Sequence, residues 1–398
     1  MQNTILEGLL FSHYNLKSNG YYNRELIYCK LKLKKIRIFF TNIVSLCFIY
    51  IFSKIEGIQY RQNKLLCVNT EKLGDLVLAS DFLFSIGNSK NYDQCFIIIA
   101  EQYSNLFNWT KLGFVPIYLS KKKYKFNIFY RVKFILKIKK MGITTAINFT
   151  PERGWINDEL VLSISAKEKI TFKSRSVYLL KTIIKNNNKR YSSIYNNDDM
   201  NEYSILKKYL IEEKITLSFS KTIFNCSEST SRIGENLIKG KYICIAPFAS
   251  DLGRTWAANN YKNLINSLTP KVKVIILGKE IELSEFNKGI KQNSNLISEM
   301  VFGLPEVINI IANSTLFIGN DSGLTHIAHN LKVSTIALIG GGDYGRFFPY
   351  KDNINTYYFY HKLECFNCHW NCIYKERFCL TEINFNDVLN KIYEIVKL

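Results

Sequence analysis

Short runs of consecutive apolar residues alternate along this chain with longer stretches in which apolar positions recur every three or four residues. The runs at 64–69, 95–100, 116–119 and 144–149 predict short buried strands, with helical spacing near 76–86 and 156–165 between them. An asparagine-rich stretch at 186–201 reads as a surface loop, and a helix follows near 204–213. The alternation restarts with strands at 242–246, 272–277, 315–318 and 333–339. Strand and helix in alternation predict an α/β fold of two doubly wound, Rossmann-like domains, 61–230 and 235–383, with a helix over 384–398. Two such domains back to back place a ligand cleft between their strand ends.

Residues 1–60 do not follow this alternation. Ile38–Ser53 is apolar apart from Thr41, Asn42 and Ser45, and it follows the basic run Lys30, Lys32, Lys34, Lys35 and Arg37. These residues fall short of the roughly 20 needed to span a bilayer, so an interfacial or core-packed helix is expected. Packing on the first domain and anchoring at a membrane surface both fit. A second basic stretch, Lys121–Lys140, interleaves nine Lys and Arg with Phe126, Ile128, Phe129, Phe134, Ile135 and Ile138. It suits either a helix meeting anionic lipid head groups or a solvated face over an apolar stripe.

The most informative segment is Phe317–Asn330. An apolar strand stops on Gly319, Asn320, Asp321, Ser322 and Gly323, and helical spacing begins at once. Free N–H groups at such a helix start, with the aligned peptide dipoles, favour an anion such as phosphate, and an ordinary capped helix fits equally well. Asp321, Ser322, Gly323, Leu324, Thr325 and His326 lie where a ligand of an open sheet would bind. For His326, contact with the anion and bracing of the turn are both open, whereas His329 reads as packing.

Three further motifs fall at strand ends. Thr70–Asp75 puts a carboxylate, Asp75, at a helix start, as a base or as a cap. Ser250, Arg254 and Thr255, in the loop after Tyr242–Ala246, offer hydroxyls and a permanent cation to phosphate. Glu280 or Glu282 follows Val272–Leu277, placed to accept from ribose hydroxyls.

Composition adds a charge argument. A length of 398 residues with 47% hydrophobic content supports two sizeable cores, and a net charge of +20 implies acidic partners: nucleic acid, anionic lipid or phosphorylated ligands. No recognised nucleic-acid module appears, so no nucleic-acid partner is expected. The ten cysteines, without a secretory leader pattern, fit a reducing cytoplasm.

Together the Lys72-Leu73-Gly74-Asp75 start, the Arg254-Thr255-Trp256 loop, the Asn320–His326 turn followed by Gly340-Gly341-Gly342, and the C-terminal cysteines resemble glycosyltransferase family 9, the heptosyltransferases. The resemblance runs over residues 64–383 in the family's order. It implies GT-B architecture and an inverting, metal-independent transfer from a nucleotide-diphosphate sugar, with ADP-heptose favoured. The acceptor is then a lipopolysaccharide-core or other lipid-linked glycan, and the setting is cytoplasmic, peripheral on the inner face of the membrane. It also implies Asp75 as general base, Arg254 as phosphate grip, the turn at Asp321, Gly323, Thr325 and His326 as donor site, and Glu280 on the ribose. The chain departs from the family in having Trp256-Ala257 where Trp-Pro is common and in the 60 residues before its first strand. The alternatives are a non-catalytic or differently specific GT-B sugar- or lipid-binding relative and, behind it, a basic nucleic-acid-binding protein.

Cys365, Cys368, Cys372 and Cys379, beside His369, supply enough thiolates for a tetrahedral zinc, but at a spacing that matches neither a standard zinc ribbon nor ferredoxin runs. Free packed thiols are the default reading, with a structural zinc or a disulfide as alternatives.

Overall fold

The structure is a computed structural model, and it describes residues 24–55, 62–173, 179–196, 201–220, 223–225, 240–249, 252–298, 300–350 and 355–397. Ser250 lies outside the described residues, as do the side chains of Lys30, Lys32, Lys34 and Lys35. Two six-stranded, wholly parallel sheets carry the fold. The first contains β1 (Lys64–Asn69), β2 (Gln94–Ala100), β3 (Val115–Leu119), β4 (Thr145–Asn148), β5 (Glu168–Phe172) and β6 (Ser193–Tyr195). The second contains β7 (Tyr242–Ala246), β8 (Lys273–Ile276), β9 (Leu296–Ile297), β10 (Leu316–Asn320), β11 (Thr335–Leu338) and β12 (Thr356–Phe359).

The strand orders are β3-β2-β1-β4-β5-β6 and β12-β11-β10-β7-β8-β9, so each sheet winds outward from its first strand in both directions. That reversal opens a crevice at the carboxyl ends of β1 and β4, and another at those of β7 and β10. The central strands β1, β4, β7 and β10 are buried on both faces, which is why they show as apolar runs. The architecture is GT-B: two doubly wound α/β domains facing each other. One hydrophobic cluster continues from the first domain (Cys67, Ile97, Ile147) into the second (Tyr242, Phe317, Ile327). Across the same seam, Asn330 donates through Nδ2 to Val77 O and Ser80 Oγ, each at 2.9 Å.

Three expectations change. The stretch 186–201 is not all loop: a helix runs to Asn188, and Ser193–Tyr195 pairs with β5 as the edge strand, three residues too short to display a period of two. The apolar N-terminal segment belongs to a 30-residue helix, Arg24–Ser53, whose Ile36–Ser53 window has the length and apolarity to cross a membrane. It is therefore longer than the apolar run alone implies. One of its faces is docked on the first domain, with Asn42, Ser45, Phe48, Ile49 and Phe52 buried.

The basic stretch also divides. It forms two helices, Lys121–Phe126 and Ile128–Lys139, and Asn127 caps the second by accepting from Tyr130 N at 2.9 Å. Arg131 and Lys139 leave the surface entirely. Arg131 is fork-bonded to buried Glu159, which also accepts from Tyr124 Oη at 2.7 Å, and the Phe48 ring lies 4.0 Å from the guanidinium carbon. Lys139 Nζ donates to Phe52 O at 2.9 Å. A basic periodicity does not distinguish a solvated lysine from one that ties an added helix to the domain.

Candidate active site

Both crevices open toward the seam, and helix starts line it from either side. After β1 the chain turns into the helix Leu73–Leu78, where Asp75 Oδ2 accepts from Lys72 N at 3.2 Å. Its other oxygen, Oδ1, lies 3.2 Å from Arg346 Nη2 of the opposite domain. The carboxylate thus caps its own helix and faces the cleft at once.

On the other side β10 ends in Asn320, whose buried amide ties three segments together. Its Oδ1 accepts from Trp256 N (2.9 Å) and Tyr261 Oη (3.0 Å), and its Nδ2 donates to Pro247 O (2.9 Å). Trp256 is thereby locked, and Arg254 and half-buried Thr255 are carried to the crevice two residues and one residue before it. Ser322 precedes the helix Gly323–Asn330 without capping it, because its hydroxyl lies near Thr325 Oγ1 (3.5 Å) instead. The first N–H groups of that helix have no side-chain cap, which suits an anion.

Two glycines let the helix starts meet. A Cβ on Gly74 would lie 2.9 Å from the His326 ring, and one on Gly323 would lie 2.8 Å from the Leu73 side chain. Leu324 is partly buried against the shared core.

The charges converge. Burial pushes the Asp321 carboxyl up to about 6, against the lowering pull of Arg254, with Asp343, Arg346 and Asp75 also felt there. Arg254 stands 3.7 Å from Asp343 and lies over the Trp370 ring at 4.7 Å. Its Nε has no hydrogen-bond partner among the described residues, a donor that an anion would satisfy. Burial raises the Asp343 carboxyl, but hydrogen bonds with His369 and Trp370 outweigh it and hold the group below its ordinary value.

Arg346 is the centre of the seam, and the sequence reading missed it. It lies 2.5 Å from Glu152 and 2.5 Å from Glu202 as well as 3.2 Å from Asp75, one cation among three carboxylates of the first domain. Burial works against its charge, yet Glu202, Asp75 and Glu152 more than offset this and keep its pKa above the ordinary value. Burial pushes Glu202 up to about 7 despite Arg346. The backbone joins in: Glu202 N donates to Arg346 O at 3.0 Å, just after Gly345 turns through φ +81°. The one available signal was position, since Asp343 and Arg346 follow Gly340-Gly341-Gly342 at the end of β11, where ligand residues of such sheets gather.

His326 is only 2% exposed. Its Nδ1 is hydrogen-bonded to Tyr350 Oη, its ring stacks on Phe348 at 4.4 Å, and burial lowers its pKa to about 3. A neutral, enclosed imidazole braces the turn, and of the two readings open from sequence the bracing one matches this placement. His329 stacks on Tyr350 at 3.8 Å and is likewise held near 3 by burial. Both imidazoles refuse a proton that the unfolded chain accepts near 6.5, so their stabilising contribution is complete above pH 6.5 and is lost as pH falls toward 3. His329→Phe, which keeps a stacking ring, is therefore expected to gain stability relative to wild type as pH drops from 7.5 to 5, by up to ~1.4 kcal/mol per pH unit. Thermal midpoints of both proteins across that range check this.

Glu280 is exposed at the first position of the helix after β8, while Glu282 caps that helix by accepting from Lys279 N at 2.9 Å. The cysteine segment folds over the glycine-rich loop, where Asn367 N donates to Gly341 O (2.7 Å) and His369 N to Gly342 O (2.8 Å). Cys365, Cys368, Cys372 and Cys379 are all free thiols. Among the described residues no three His, Cys, Asp or Glu side chains are grouped to hold a metal ion. The segment's clear contribution is Trp370, which delivers its indole N–H to Asp343 at 2.8 Å.

Comparison with known proteins gives a family and a fold. The sequence profile of glycosyltransferase family 9 (heptosyltransferase) matches residues 164–375. Lipopolysaccharide heptosyltransferase 1 of Campylobacter coli is 22% identical over 353 residues, covering 83% of this chain and 98% of the relative. Among solved structures, a family 9 glycosyl transferase from Veillonella parvula aligns with a TM-score of 0.67 at 15% identity, over 86% of this chain and 99% of its own. The E. coli heptosyltransferase WaaC, solved with ADP, aligns with a TM-score of 0.60 at 14% identity, over 83% of this chain and 99% of its own. At these identities the structural likenesses establish the fold.

Proposed function

The chain belongs to glycosyltransferase family 9, the heptosyltransferases, and we propose that it moves heptose from ADP-heptose to a lipopolysaccharide-core or similar lipid-linked acceptor, with inversion at the anomeric carbon. The observation that carries this reading is the opposition across one cleft of a carboxylate, Asp75, and an anion-ready group: Arg254, whose Nε has no hydrogen-bond partner among the described residues, and the start of the helix Gly323–Asn330, which has no side-chain cap. The complexes of WaaC with ADP and with ADP-2-deoxy-2-fluoro heptose favour an adenine diphosphate donor, and the name of the C. coli relative favours a lipopolysaccharide acceptor.

In this mechanism the acceptor hydroxyl oxygen attacks the anomeric carbon from the face opposite the diphosphate, while Asp75 takes the hydroxyl proton. The bond to the diphosphate oxygen breaks, and its electron pair leaves with ADP. Arg254 and the backbone N–H groups of Gly323, Leu324 and Thr325 offset the charge that develops there, so the step requires no metal. Ser250 and Thr255 donate hydroxyls to phosphate, Glu280 accepts from the ribose, and Asp321 and Ser322 shape the turn. Arg346 positions Asp75, and His326 braces the turn beneath the phosphates. The reaction takes place on the cytoplasmic side, with the protein peripheral on the inner face of the membrane.

Donor binding tests this without an acceptor. ADP is expected to raise the thermal midpoint more than GDP, UDP or CMP do. Arg254→Ala is expected to weaken ADP binding by about 10- to 100-fold, the range for a lost charge-assisted hydrogen bond. Calorimetry showing unchanged ADP affinity in Arg254→Ala contradicts the proposed phosphate grip.

A further inference from the structure

Over 36–53, where its side chains are described, the Arg24–Ser53 helix docks one side on the first domain and leaves an apolar face open among the described residues. Ile36, Phe40, Ile43, Val44 and Ile51 recur at helical spacing on the open face, opposite the docked stripe of Asn42, Ser45, Ile49 and Phe52. A second exposed apolar group stands at the junction of the two basic helices, where Phe126 is 74% and Phe129 84% exposed, with Ile128 between them. Lys122, Lys123, Lys125 and Lys133 are exposed around these rings.

The two groups belong to one surface. Phe48 of the N-terminal helix packs on Arg131 of the second basic helix. Arg37, at the open end of the apolar face, is close enough to Lys125 to act on its ammonium, which partial burial and then Lys121 and Arg37 push below its ordinary value. The same surface reaches the cleft. Lys121 Nζ donates to Thr70 O at 2.6 Å and lies 4.0 Å from Glu71, on the loop that leads into Asp75.

We propose that the open face of the Arg24–Ser53 helix and the Phe126–Phe129 corner together form a docking surface for an anionic lipid bilayer, which holds the mouth of the Asp75 cleft at head-group level. Apolar rings ringed by lysines match the two layers of such a surface: acyl chains just below and negative head groups at the same depth. A spanning arrangement, which the helix length alone allows, requires stripping buried Phe48 and Ile49 from the domain and uncovering the Arg131–Glu159 pair. The helix therefore lies along the interface. The orientation of the cleft rests on the transferase reading above, whereas the docking does not.

The test uses the full chain and vesicles of phosphatidylcholine with or without about a third phosphatidylglycerol, at physiological salt. Wild type is expected to co-sediment with the anionic vesicles and at least about tenfold less with the neutral ones. Phe126→Ser/Phe129→Ser and Lys122→Glu/Lys123→Glu are each expected to lower anionic binding at least about tenfold, with thermal midpoint and ADP response as in wild type. Equal binding to both vesicles, variants that bind like wild type, or a wild-type dimer in which Phe126 and Phe129 are shielded each overturns the proposal. Resistance to extraction from vesicles at alkaline pH overturns it in favour of a spanning helix. Docking that persists in a protein that neither binds ADP nor transfers sugar leaves the surface standing and removes only the transferase reading.

Discussion

Asp75→Asn is expected to lower the turnover of sugar transfer by roughly 10²- to 10⁴-fold, the contribution typical of a positioned general base, with ADP affinity unchanged. The asparagine keeps the size of the side chain and an oxygen for Lys72 N, whose bond to Asp75 is 3.2 Å long, so the helix start survives. What it loses is the capacity to take a proton from the acceptor hydroxyl. The effect therefore falls on turnover and leaves nucleotide binding to the other side of the cleft. Single-turnover kinetics beside ADP calorimetry separate the two. If the variant keeps wild-type turnover, Asp75 is only a helix cap.

The second large effect is expected at Arg346. Its guanidinium is the shared partner of Asp75, Glu152 and Glu202, with a side chain only 15% exposed. Arg346→Met leaves three clustered carboxylates of the first domain without the cation that meets them across the seam, and removing one partner of a buried ionic group typically costs about 3–5 kcal/mol. The thermal midpoint is expected to fall by several degrees, and transfer by at least about tenfold because Asp75 loses its orientation. Arg346→Lys is expected to restore part of the stability and little of the activity, since a single ammonium does not reach three carboxylates in a fork. Adding Glu202→Gln to Arg346→Met is expected to return stability, because it removes one of the uncompensated charges. A double variant no more stable than Arg346→Met contradicts the ionic account.

Parts of this molecule were legible in its sequence for a definite reason. β1, β7 and β10 are central strands buried on both faces, so each shows as an unbroken apolar run, and the polar turns that end them carry Asp75, Arg254 and Asp321. Gly74 and Gly323 marked the helix starts, although their reason, contact with His326 and Leu73 across the seam, is visible only in three dimensions. Arg346 was not legible. It meets Glu202 from 144 residues away and Asp75 from 271 residues away, and no local pattern records a contact that exists only when two domains close. His326 shows the same limit from the other direction: one turn into a helix after a polar turn, its type fits an anion as readily as a brace, and its contacts with Phe348 and Tyr350 are visible only in three dimensions. The basic stretch misled where Arg131 and Lys139 turn inward, because charge spacing is the same whether a cation faces water or a buried carboxylate.

Inverting transfer of heptose is tested by incubating the purified chain with ADP-heptose and a truncated, heptose-free lipopolysaccharide acceptor, following ADP release and the anomeric configuration of the new linkage by NMR. One ADP is expected per sugar transferred, with a configuration opposite to that of the donor, and Asp75→Asn is expected to slow both signals by roughly 10²- to 10⁴-fold. A product that retains the donor configuration, or no acceptor-dependent ADP release from ADP-heptose, contradicts inverting heptose transfer.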